Sequence, residues 1–119
     1  MMSFQALLYR FDDRRLFEMA NLQTKTTGLQ SIVFVSWRGN SKHGPRIKVS
    51  NIAGRMDPND NFSITIENQP RVVGKCKLKN SDLDDIIDWV KLNKNHLIRV
   101  WFDGDSMDPV EIQQGFYKL

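Results

Sequence analysis

Cysteine is almost missing from this sequence. Cys76 stands alone, which excludes an internal disulfide, and with only His43 and His96 as other soft ligands a closed structural zinc site has too few donors. No unbroken apolar run exceeds four residues, as at Ile32 to Val35, far short of the ~20 that a membrane-crossing helix needs. The first residues carry no apolar core of signal-peptide type, so an intracellular, cytoplasmic setting without a membrane is expected. Repeats, low-complexity tracts and Pro-, Gly- or Ser-rich linkers are also lacking, and 119 residues then read as one compact domain over 1–119. Neither a Walker-type phosphate loop nor a GxGxxG run occurs, so no nucleotide cofactor is expected.

Charge is present but uneven. Residues 1–18 balance, whereas residues 19–56 hold six bases (Lys25, Arg38, Lys42, Arg46, Lys48 and Arg55) and no acid. Residues 57–70 carry only Asp57, Asp60 and Glu67, and residues 71–80 only Arg71, Lys75, Lys77 and Lys79. The remainder has eight acids against four bases. The net charge of +3 therefore hides a basic middle and an acidic tail, a dipolar pattern suited to an anionic partner and equally compatible with a solvated surface.

Hydrophobic spacing predicts an α+β fold. Phe4, Leu7, Leu8 and Phe11, extended by Leu16, Phe17 and Ala20, mark an N-terminal helix near 3–20. About four antiparallel strands follow, near 31–37, 46–52, 62–67 and 71–79, separated by turn residues such as Gly39, Gly44, Pro45 and Asp57-Pro58-Asn59. Ser81 with Asp84 resembles a capping box opening a long helix near 82–102. Its stripe runs through Leu83, Ile86, Ile87, Val90, Leu97, Ile98 and Trp101 and weakens around Asn93 to Asn95, where a bend is expected. Asp108 and Pro109 start a short final helix near 109–115. Packing the long helix on one sheet face sends Arg46, Lys48, Lys75, Lys77 and Lys79 to the other, as a basic face. Lysines on an edge strand also serve simply to discourage edge pairing.

The segment Trp37 to Arg46 is the most unusual. It combines two glycines, the cations Arg38, Lys42 and Arg46, and His43, with Trp37 available to stack a base or a guanidinium. His43 is the single candidate for proton transfer, beside cations that would stabilise developing negative charge. His96 reads as a boundary residue, Cys76 as a small inward side chain, and Asp82, Asp84, Asp85 and Asp88 as acids complementing a helix N-terminus, not as a metal site.

The run His43-Gly44-Pro45-Arg46-Ile47-Lys48-Val49, a histidine- and proline-bearing turn entering an alternating strand, and the later Asn93 to Trp101 helical segment resemble a group of small bacterial and phage domains. That group is termed domain of unknown function 4160 and is found near toxin–antitoxin genes; its strand tends to be histidine-rich where this one carries Arg46 and Lys48. The resemblance implies a phage or mobile-element setting and no particular chemistry. Taken together, the expected function is a non-enzymatic binding protein holding nucleic acid or a ribonucleoprotein surface through Arg38, Lys42, Arg46, Lys48, Lys75, Lys77 and Lys79. Two alternatives stand beside it. One is a small metal-independent endoribonuclease toxin using His43, and the other a protein-binding inhibitor or antitoxin-like component using the acidic C-terminal helices.

Overall fold

The computed structural model describes residues 19–22, 24–52, 55 and 57–119. The helix expected near 3–20 lies outside them up to residue 18, and its last two positions are not helical. Met19–Leu22 instead forms β1, pairing antiparallel with β2 (Val33–Ser36). A single helical turn, α1 (Thr24–Thr27), separates the two strands. β3 (Arg46–Ser50), β4 (Asn61–Thr65) and β5 (Val72–Val73) complete a five-stranded antiparallel meander in the order β1-β2-β3-β4-β5. One strand more than the sequence predicts is present, because Met19–Leu22 lacks alternation and becomes a strand only through its pairing with β2.

Alternation fixes which side chains form the core. The ladder aligns Val35 with Ile47 and Ile47 with Ile64, and Val33 with Val49 and Val49 with Phe62, so one face is a continuous apolar surface. All six of these residues except Phe62, at 2%, are exposed by 1% or less. The opposite face carries Phe34 beside Lys48, Lys48 beside Ser63, and Arg46 beside Thr65.

The strand expected near 71–79 shortens to Val72–Val73. Gly74 adopts φ +101, a left-handed conformation that ends the strand, and the next residues leave the ladder. They are held instead by one side chain at the end of β3. The Asn51 amide donates to the Lys75 carbonyl (3.0 Å) and accepts from the Lys77 N–H (2.8 Å). Cys76 and Leu78 still turn toward the core, partly buried.

Two helices replace the single long one. α2 (Asn80–Leu92) and α3 (Lys94–Asp103) meet at Asn93, within the stretch where the apolar stripe weakens. α2 begins one residue before Ser81, with Lys79 as the N-cap and no side-chain cap bond, so the Ser81–Asp84 capping box does not form. A 3₁₀ turn (Gly104–Ser106) leads to α4 (Pro109–Gln114), whose N-cap Asp108 accepts from the Val110 N–H at 2.8 Å, as the sequence predicts. Ile86, Trp89 and Val90 of α2, Leu97 and Val100 of α3 and Ile112 of α4 join the apolar sheet face in one core.

The last residues are tied down by polar groups. Asn93, 2% exposed, donates its amide to the Trp89 and Tyr117 carbonyls (3.0 and 3.1 Å) and accepts the Tyr117 N–H (2.6 Å). Phe116 stacks on Trp89, and the His96 ring meets Phe116 edge-on while its Nε2–H donates to the Ile112 carbonyl (2.7 Å). The Leu119 N–H donates to the Thr27 carbonyl (2.8 Å), closing the chain onto α1.

Candidate functional site

The 38–46 loop joins β2 to β3 and is docked against the C-terminal end of α3. Helix carbonyls near that end have no partner within the helix, and the Arg38 N–H fills one such position, donating to the Trp101 carbonyl at 2.7 Å. A cation at a helix C-terminus also complements the negative end of the helix dipole. The Ser41 N–H donates to the Arg38 carbonyl (2.8 Å) to close a turn in which Gly39 takes φ +49. Farther along, the Pro45 carbonyl accepts the Ile66 N–H (3.0 Å), so both ends of the loop are pinned.

The two rings of this segment differ in burial: Trp37 packs on the core, whereas His43 is exposed and only rests against a buried ring. Trp37 is partly buried against the core, and Gly104 lies flush on it: a Cβ at position 104 would sit 2.8 Å from Trp37 Cβ and 3.0 Å from its ring. The His43 ring lies over Trp101, with centroids 5.4 Å apart, and Trp101 itself is 2% exposed. His43 Nδ1 donates to the Gly44 carbonyl (2.8 Å), which leaves Nε2 as the proton acceptor of the neutral ring. Among the described residues no carboxylate bonds to that ring, and the Gly44 carbonyl is the group that orients it.

Because Gly104 has an ordinary helical φ of −58, a clash alone decides its substitution. Gly104→Ala is expected to cost about 1–3 kcal/mol and to move the Trp37 indole and Arg38 amide signals in an NMR amide spectrum. Gly44→Ala, where nothing lies within 4 Å of the added carbon, is expected to leave both spectrum and stability near the parent.

The seven cations selected from the sequence do not form one patch. Arg38, Lys42 and Arg46 gather at the end of the sheet where β2 finishes and β3 starts. Lys75 and Lys77 are bonded through Asn51 at the other end of β3, roughly 17 Å away along the strand, and Lys79 caps α2. Lys48 lies between, beside Phe34 and Ser63. The two ends also differ electrostatically. Lys77 is paired with Asp60 at 3.0 Å, and that ammonium, aided by the Asn51 amide and the charge of Lys75, holds the Asp60 carboxyl below its usual range. Arg38 and Lys42 are exposed and enter no ion pair among the described residues. Arg46 is partly buried, with its Nε shielded from solvent and without an acceptor among the described residues.

Arg71 belongs to the same end of the sheet as the loop but is neutralised by Glu67 at 3.1 Å. The Thr65 hydroxyl and the Arg71 guanidinium together keep the Glu67 carboxyl below its usual range. Sequence reasoning misses the parts that shape the site, Trp101 and Gly104, because they look like an apolar stripe residue and a helix stop. Asn51 gave no signal at all.

A shallow cleft of about 370 Å³ opens elsewhere, between the α2–α3 junction and the chain end, lined by Leu92, Asn93, Asn95, His96, Arg99, Gly115 and Tyr117. Its main polar groups are already bonded, Arg99 to Glu111, His96 to Ile112, and Asn93 to Tyr117 and Trp89. Among the described residues no three metal-ligating side chains converge, and no helix is long and apolar enough to cross a membrane. Comparison with protein-family models, curated proteins and solved structures finds no match.

Proposed function

We propose that this protein is a non-enzymatic binding module that holds an anionic partner, nucleic acid or a ribonucleoprotein surface, at the 38–46 loop. The observation that carries this reading is the loop itself: exposed Arg38 and Lys42, without ion pairs among the described residues, on a backbone anchored to Trp101 and Pro45. An anchored loop presents its cations with little ordering cost on binding. Arg46 adds a third cation at the root of the loop, and phosphate contacts of this kind weaken steeply as salt rises. On the resemblance noted above, the setting is a phage or other mobile element. A protein partner is the second reading, favoured by the exposed Leu92, Val110 and Tyr117 on the helical layer.

Affinity capture with the tagged chain from cells, washed at low and high salt, tests the assignment. Arg38→Glu combined with Lys42→Glu is expected to abolish retention of a salt-sensitive partner while lowering the thermal melt only slightly, since both side chains are exposed and an acid at the end of α3 costs about 1 kcal/mol or less. Equal retention by parent and double variant would remove the loop from the interface. Retention of one protein through the high-salt wash, without nucleic acid, would favour the apolar helical surface.

A further inference from the structure

Beside the anchored loop stands a large apolar ring that the core does not use. Phe102 follows Trp101 in α3 and is 56% exposed, whereas Trp37 and Trp101 are packed inward and the exposed His43 ring has one side set against Trp101. The backbone bond from Arg38 to Trp101 fixes the two neighbourhoods together. With the Arg38 nitrogen 2.7 Å from the Trp101 carbonyl oxygen, standard bond lengths place the Cα atoms of Arg38 and Phe102 no more than about 7 Å apart. An exposed ring and exposed cations on adjoining backbone form the combination that grips a single nucleic-acid strand, the ring stacking a base and the cations holding its phosphates. A duplex hides the faces of its bases, and such a ring reaches them only by unstacking a base step at a cost of about a few kcal/mol.

We infer that the loop site takes single-stranded nucleic acid, with Phe102 stacking a base and Arg38 and Lys42 holding the flanking phosphates. This rests on the anionic-partner reading above. Asp103 follows Phe102 and Asp105 lies two residues beyond it, both exposed, so phosphates are disfavoured on that side and the strand tracks across the loop. Base stacking on a ring tolerates any sequence, so little preference among bases is expected.

Fluorescence anisotropy of the full chain with three labelled 12-mers tests this: oligodeoxythymidine, the same length made wholly of abasic sites, and a duplex. Oligodeoxythymidine is expected to bind tightest. Phe102→Ala should weaken it by about 5- to 150-fold, the range of alanine substitutions at stacking rings, and leave the abasic strand unchanged. Phe102→Trp should restore binding, whereas Phe102→Leu, which keeps apolar area but no ring, should not. Arg38→Glu with Lys42→Glu should weaken both strands. Equal affinities for the thymidine and abasic strands, or a Phe102→Ala variant within twofold of the parent, would overturn the stacking role and leave the anionic-partner reading intact. No binding to any of the three, combined with capture of a cellular partner that the double charge reversal abolishes, would overturn single-strand recognition alone. No binding together with charge-insensitive capture would overturn both. Thermal melts of each variant confirm folding, which the exposure of all three positions makes undemanding.

Discussion

Trp89→Ala is expected to lower the unfolding free energy by about 4–5 kcal/mol, a large part of the stability of a domain this size. The indole is completely buried, belongs to the core that joins the sheet to the C-terminal helices, and stacks on Phe116 with centroids 5.3 Å apart. Removing it opens a cavity that surrounding strands cannot close, because their ladders hold them in register. A companion substitution separates volume from polarity. Trp89 Nε1 is buried and finds no acceptor among the described residues, a situation that costs about 1–3 kcal/mol. Trp89→Phe removes that unpaired donor together with part of the ring, and the two effects oppose each other, so its loss should stay below about 2 kcal/mol. Urea unfolding followed by far-ultraviolet circular dichroism measures both. A Trp89→Ala variant within 1 kcal/mol of the parent would show that the ring is not the centre of this core.

The second large effect is expected at Asn93. It is buried, yet sits where two helices meet, and its side chain binds both the N–H and the carbonyl of Tyr117 as well as the Trp89 carbonyl. Alanine has the higher helix propensity, which favours joining α2 to α3 in a single rod. It would also strand the polar groups that Asn93 satisfies, and that loss should prevail, at about 3 kcal/mol. Hydrogen exchange at the Tyr117 and Leu119 amides should accelerate along with the fall in stability. Asn93→Asp offers a check with a definite sign. A buried carboxylate facing two carbonyl oxygens has its pKa raised, so the variant should be closest to the parent at acid pH and lose ground as pH rises through that value. A deficit that is the same at pH 4 and pH 7 would mean that the 93 side chain is solvated.

These two positions also mark how far the sequence could be read. A continuous run of β-branched and aromatic residues located β2, buried on both faces, and alternation located β3 and β4, to within a few residues, since Ile47, Val49, Phe62 and Ile64 must face one side to be buried. The stripe across α2 and α3 was legible as well, and so was the weak point around Asn93. The partner of Asn93 was not, because Tyr117 lies 24 residues away and nothing local links them. The final strand misled for a related reason. Residues 71–79 alternate well, but Gly74 turns the chain, and only Asn51, from another strand, decides where Lys75 and Lys77 go.

For the candidate site, residue order alone established which charges exist and that they crowd into the middle of the chain. It determined the α+β class too, since period-2 and period-3.6 burial patterns are local properties of side-chain spacing. It took the fold to divide the cations between two ends of β3, to set Asp60 against Lys77, and to fasten Arg38 to Trp101 beside an exposed Phe102. Those facts depend on strand register and on one carbonyl at a helix end meeting one loop amide. Such contacts join residues far apart in sequence, and their energies come from packing and desolvation that no local window contains.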